Sequence, residues 1–161
     1  MTILCCKNVA RKVPINYILL TVFTLCQAFF FAWVASQYTV ESTLVAGGMT
    51  IAMTIAITVY AMRTKSDFTV CGSLFFVLSV GMIMFVTLGI FMGSSLGYWH
   101  RFISVIFVII YGLYLIFDVQ LIAGGRSHEI SLDDYVIGAL LLYVDIMMIF
   151  LELLKIFGSR K

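Results

Sequence analysis

Apolar and polar positions divide the chain into five unbroken hydrophobic runs: Asn16–Ser36, Thr43–Met62, Cys71–Phe91, Phe102–Ala123 and Tyr135–Phe157. Residues 13–40, 42–62 and 68–99 contain no Asp, Glu, Lys or Arg. Each run has the length, about 20 residues, that crosses roughly 30 Å of hydrocarbon as a helix. The runs do not alternate with period two, and the chain holds a single proline, which excludes a barrel of tilted strands. The prediction is an all-α fold, a polytopic membrane helix bundle that forms one membrane domain over residues 1–161. Turn chemistry falls between the runs, at Gly93-Ser94-Ser95-Leu96-Gly97 and Gly124-Gly125-Arg126-Ser127. Ser131-Leu132-Asp133-Asp134 is expected to cap the fifth helix and supply acidic residues to its first turn.

Composition agrees with a bilayer as solvent. The chain is 63% hydrophobic and 11% charged, against about 25% charged residues in an average soluble domain. A formal net charge of +2 gives no footprint for nucleic acid. The four cysteines, Cys5, Cys6, Cys26 and Cys71, have neither disulfide-framework nor metal-ligand spacing. Cys5-Cys6 beside a basic stretch is a candidate acylation site, although such pairs are usually inert, and Met1–Cys6 is too short for a signal-peptide core. Lys and Arg in the short loops set the orientation. If all five runs cross, Lys7, Arg11, Lys12, Arg63, Lys65 and Arg126 share one side. Arg101, Lys155, Arg160 and Lys161 then share the other, a 6 to 4 split. If the fifth run re-enters, Lys155, Arg160 and Lys161 change sides and the split is 9 to 1. Both versions put the N-terminal end in the cytosol.

Polar residues inside the runs fall on faces. Gly47, Thr50, Thr54 and Thr58 form a stripe on the second helix, read as a packing seam of small residues. Asn16, Thr24 and Gln27 share a face of the first helix, which suits interhelical hydrogen bonding or a wet interior. Ser104, Tyr111, Tyr114 and Asp118 share a face of the fourth. Gly138, Asp145 and Glu152 recur every seven residues on the fifth, and therefore stack on one side.

The two aspartates are the expensive residues, because Asp at the centre of a membrane helix costs about 2.5–3.5 kcal/mol even on lenient scales. Asp118 precedes Gly124 by six residues and Asp145 follows Tyr135 by ten. Those offsets correspond to depths of about 9 and 15 Å. An antiparallel hairpin then brings the carboxylates within about a turn of each other. At about 4–5 Å and an effective dielectric near 20, two ionised carboxylates repel by roughly 3–4 kcal/mol. Such a pair is expected to share a proton and to act as a pH-dependent latch, closed with the proton and open or cation-bridged without it. Carboxylate oxygens also suit Ca²⁺, with carbonyls, Tyr hydroxyls or water completing the shell. Asp118 and Asp145 are thus the candidate pH-dependent latch and Ca²⁺ ligands, and Tyr111, Tyr114, Glu152 and Gln27 are candidate pore-lining residues. The plainer alternative is a buried hydrogen-bond network in which Tyr111, Tyr114 or Tyr143 donates to each Asp. An intramembrane aspartyl protease is set aside. Leu142-Tyr143-Val144 precedes Asp145 where those enzymes carry Gly-x-Gly, and the lone Pro14 cannot supply their downstream Pro-Ala-Leu. The chain is read as no enzyme.

Three segments carry a resemblance: Leu115-Ile116-Phe117-Asp118-Val119-Gln120-Leu121-Ile122; His128-Glu129-Ile130-Ser131-Leu132-Asp133-Asp134-Tyr135; and Ala139-Leu140 with Leu142-Tyr143-Val144-Asp145-Ile146. Pro14-Ile15-Asn16 with Phe23-Thr24, Tyr38 with Glu41, and Thr64-Lys65-Ser66-Asp67-Phe68-Thr69 add to it. Together they resemble the lifeguard branch of the Bax-inhibitor (transmembrane Bax inhibitor motif) family across essentially the whole chain. Val119 stands where that family more often has Thr, and Leu141 where it often has Asn. The resemblance implies a seven-helix membrane fold of the ER, Golgi or plasma membrane, with the ER or Golgi favoured here. It implies pH-sensitive Ca²⁺ leak that restrains cell death, with Asp118 and Asp145 as the gate. Ca²⁺ is the transported ion and no cofactor is implied; the expected partners are the lipid membrane and cell-death regulatory membrane proteins. Cys5-Cys6-Lys7 to Val13-Pro14 is similar to the family's junction between its second and third helices. The resemblance therefore implies an N-terminally shortened form, lacking two helices and a basic residue near the acidic pair. A non-conducting interaction protein regulating apoptosis and an H⁺/Ca²⁺ exchanger are the alternatives.

Overall fold

The computed structural model describes residues 14–92, 97–131 and 134–159, with side chains except at 73, 85–92 and 97–100. The N-terminal basic cluster, Cys5-Cys6, the tetrad 93–96, Leu132, Asp133 and the last two residues lie outside the described residues. Five α-helices occur among the described residues: α1 (Ile15–Ser36), α2 (Val40–Arg63), α3 (Gly72–Met92), α4 (Gly97–Ala123) and α5 (Tyr135–Phe157). A short 3-10 turn, Phe68–Cys71, leads into α3. Helices α1, α2, α5 and the Arg101–Ala123 part of α4 are each long and apolar enough to span a bilayer. In α3 the apolar stretch with described side chains is Leu74–Met84.

The helix limits differ from the sequence expectation where local capping decides them. Helix α2 starts at Val40 rather than Thr43. Thr39 is extended and caps the helix, its Oγ1 accepting from Ser42 N at 3.4 Å, as a threonine N-cap does. At the start of α5 the N-cap is Asp134, not Ser131, and Asp134 makes no side-chain capping bond. The segment instead turns through a backbone bond from Asp134 N to Ser131 O at 2.8 Å.

Helix α5 is the axis of the bundle. It packs most extensively on α4; α2 covers both, and α1 touches α5. Val136, Leu140, Ile149, Leu151, Leu153 and Leu154 of α5 are all buried. By contrast, only Asn16 and Phe31 of α1 are buried. The outer faces are strongly apolar, with Phe29 79%, Leu44 71% and Phe76 70% exposed. Exposed apolar surface on this scale is what a lipid-facing bundle presents.

The stripe on α2 faces inward, but its contacts are made by different residues than expected. Ala46, Thr50 and Ala61 are buried, and Thr50 donates to Ala46 O at 2.7 Å. Gly47 is no close-approach point, since a Cβ there would meet nothing within 4 Å. The predicted face on α1 also divides. Asn16 is buried, whereas Thr24 is exposed and bonds its own helix at Leu20 O.

Both ends of α5 are tied down, at opposite ends of the bundle. Near its start, Asn16 Nδ2 of α1 donates to Tyr135 Oη at 3.3 Å, and Tyr135 bonds Tyr17 at 2.9 Å. Past its other end, Ser159 meets the α1–α2 turn. Thr39 N donates to Ser159 O, and Ser159 N to Ser42 Oγ, both at 3.0 Å. Helix α5 is therefore one continuous rod of about 34 Å, long and apolar enough to cross a bilayer.

Candidate functional site

The site forms where α4 and α5 run antiparallel below the turn that joins them. Gly124 and Gly125 make the reversal with φ of 72° and 71°, the left-handed conformation that glycine adopts without strain. Gly125 N donates to Glu129 Oε2 at 3.0 Å, and Ile130 N returns to Leu121 O at 2.9 Å. Gly138 then lets the helices close, because a Cβ there would lie 3.1 Å from Ile122 Cγ1.

This geometry brings Asp118 and Asp145 together. Asp118 is 5% exposed and Asp145 6%, and the two carboxyl groups lie close enough to interact directly across the α4–α5 interface. Asp145 Oδ2 is buried and has no hydrogen-bond partner. Glu152, two turns further along α5, is equally buried; its Oε1 holds Lys155 Nζ at 2.6 Å while Oε2 has no partner. Tyr111 of α4 is half-buried within electrostatic reach of both Asp145 and Glu152.

Other predicted residues are placed elsewhere. Tyr114 shares the face of Asp118, but its hydroxyl turns to α3, donating to Phe75 O and pairing with Ser79 Oγ at 2.6 Å. It is a strap between α4 and α3. Tyr143 likewise faces α1, where its ring meets Phe23 edge-on at 6.3 Å. Gln27 is half-buried on α1. Ser104 is buried on α4.

Two groups were invisible to pattern reading. Gln120, 1% exposed and two residues beyond Asp118, clamps α4 to the α2–α3 loop. Its Nε2 donates to Ala61 O at 3.2 Å and Ser66 O at 3.0 Å, and its Oε1 accepts from Phe68 N at 2.9 Å. Asp67 joins the same loop to the α4–α5 turn. Its carboxylate accepts from Thr69 N and Oγ1 at 3.0 and 2.6 Å, and from Ser127 N and Oγ at 2.9 and 2.6 Å. The Ser127 and Thr69 bonds hold the Asp67 carboxyl well below the usual carboxylate range. Arg126 completes the clamp by donating to Thr64 O at 2.5 Å and Lys65 O at 3.3 Å, at the C-terminal end of α2. A clue lay in the sequence: Asp67 and Ser127 both sit in short loops on the side where α4 ends.

Among the described residues no three His, Cys, Asp or Glu side chains converge to hold a metal ion.

The family described as Inhibitor of apoptosis-promoting Bax1 matches residues 1–161. Protein lifeguard 3 of Mus musculus is 36% identical over 162 residues, covering 99% of this chain and 52% of the mouse protein. Protein lifeguard 3 of Homo sapiens is 37% identical over 160 residues, covering 97% of this chain and 51% of the human protein. An uncharacterized protein of Campylobacter jejuni is 32% identical over 163 residues, covering 92% of this chain and 64% of its own length. The chain spans about half the length of the lifeguard proteins it matches. No solved structure matches it. With the family matched from the first residue to the last, and the membrane helices packed around one acidic hairpin, the chain belongs to the Bax-inhibitor (lifeguard) family of polytopic membrane proteins linked to apoptosis regulation.

Proposed function

We propose that this chain carries the gate of a pH-sensitive Ca²⁺ leak pathway in an intracellular membrane, ER or Golgi, and modulates cell death by lowering stored Ca²⁺. The observation that carries the reading is the direct pairing of two buried aspartates, Asp118 and Asp145, across the α4–α5 interface. With one proton shared between them the pair can form an O–H···O bond that holds α4 and α5 closed. Without it, repulsion of roughly 3–4 kcal/mol drives the two helices apart or draws in a cation. The end of the bundle that holds Arg63, Lys65 and Arg126 faces the cytosol in this reading.

The test is Ca²⁺ flux from liposomes containing the chain, followed against pH. Wild type is expected to leak in a pH-dependent manner, and Asp118→Asn and Asp145→Asn to abolish that dependence. Flux that is unchanged in both variants refutes the gate. An exchanger using the same pair differs in showing saturating Ca²⁺ flux with protons moving the other way.

The second reading is a non-conducting membrane protein that regulates apoptosis through partner helices. The family description, which names an inhibitor of apoptosis-promoting Bax1, favours it. It requires that the effect on cell survival persist when both aspartates are neutralised.

A further inference from the structure

Lys155 lies near the end of α5, where a lysine ordinarily extends its ammonium outward to the head groups. Here it turns back into the bundle. Its side chain is 49% exposed, yet Nζ lies 2.6 Å from Oε1 of Glu152, whose side chain is only 7% exposed. An i,i+3 pair on a helix surface stabilises little, so the pair alone does not account for a buried carboxylate. Glu152 Oε2 remains buried without a partner, as does Asp145 Oδ2 on the same face two turns away. Unused carboxylate lone pairs are costly to bury. Tyr111 of α4 is half-buried and feels the charge of both acids.

From this geometry we propose that Glu152 is a second cation station, occupied in this conformation by the tethered ammonium of Lys155. The ligand class is a hard divalent cation, bound by both carboxylate oxygens with the Tyr111 hydroxyl and water completing the shell. One carboxylate makes a weak station, and weak binding is what a permeating ion needs in order to leave. Lys155 competes for it as a built-in blocker. This rests on the conduction reading above, with Glu152 as the step after the acidic pair.

Two measurements test it, and one does not need conduction. In detergent, Tb³⁺ is added to the whole chain and its luminescence is excited through tyrosine. Lys155→Gln is expected to raise the signal several-fold over wild type, and Lys155→Arg to leave it at the wild-type level. Glu152→Gln placed in the Lys155→Gln background should remove the gain, whereas Asp118→Asn in that background should retain it. In liposomes, Lys155→Gln should leak Ca²⁺ several-fold faster at every pH while keeping the pH response of the acidic pair. No Tb³⁺ gain in Lys155→Gln overturns the station, as does a gain that survives Glu152→Gln. If the liposomes show no flux in any variant, the conduction reading fails, and the Tb³⁺ comparison still decides whether Glu152 binds cations.

Discussion

Gln120 offers the sharpest test of how the acidic hairpin is held. Replacing it with Leu keeps the volume and removes three hydrogen bonds. Of the groups left behind, Ser66 O lies on an exposed residue and can take a water instead. Ala61 O belongs to a fully buried residue and Phe68 N to a half-buried one, so neither is readily hydrated. At about 1–3 kcal/mol per buried orphan group, the change should cost about 2–6 kcal/mol. For a chain of this length that corresponds to a melting temperature lower by about 4–24 °C. Gln120→Glu should cost at least as much, since an oxygen would then face the Ala61 and Ser66 carbonyls in place of a donor. Thermal unfolding of purified protein in one detergent measures both variants. If Gln120→Leu melts with wild type, or Gln120→Glu is the more stable of the two, the clamp does not hold the loop as described.

Three further outcomes follow from other contacts. Asp67→Asn should speed hydrogen exchange at the Thr69 and Ser127 amides by loosening the loop-to-loop junction. The Asp67 carboxyl is depressed in the folded state, so its stabilisation is full above the ordinary carboxylate value of about 3.9. That stabilisation is lost only as pH falls through the lower folded value, so wild-type amides should stay protected at mildly acidic pH and open only in strong acid. Tyr114→Phe should cost about 1 kcal/mol in the same unfolding assay, because Ser79 keeps its own bond to Phe75 O, and should lengthen the spin-label distance between α3 and α4. Gly158→Ala would set a Cβ in collision with the Tyr38 ring and with Leu154 O. It should therefore cost about 1–3 kcal/mol and expose the α1–α2 turn to protease.

Helix positions and the acidic pair were legible because each has a local signature. Length and uninterrupted apolarity mark a crossing, and an aspartate within such a run is an energetic anomaly wherever its partner lies. The hairpin was legible too, since a short Gly-Gly turn forces α4 and α5 into neighbouring antiparallel positions at calculable depths. What stayed hidden depended on distant partners. Gln120 bonds groups 52 to 59 residues away, and nothing in its own neighbourhood marks it as other than an interfacial residue. Tyr114 lies on the face of Asp118, but a helical wheel does not say which of two adjoining helices a long side chain will reach. The choice of α3 is set by two groups there that the hydroxyl can bond, Phe75 O and Ser79 Oγ. Thr24 sits at a position that looks as inward as that of Asn16, yet it is satisfied by its own helix.

The ties at both ends of α5 bear on how the protein is made. This helix follows the other four in the chain, and it supplies one carboxyl of the acidic pair and both closing contacts, at Tyr135 and Ser159. While a ribosome is still adding α5, Asp118 is already within the membrane with no Asp145 beside it. An unpaired carboxyl at that depth is costly to keep in hydrocarbon. A nascent chain stalled before Tyr135 leaves that cost unrelieved, and completion of α5 buries the Asp118 carboxyl against its partner.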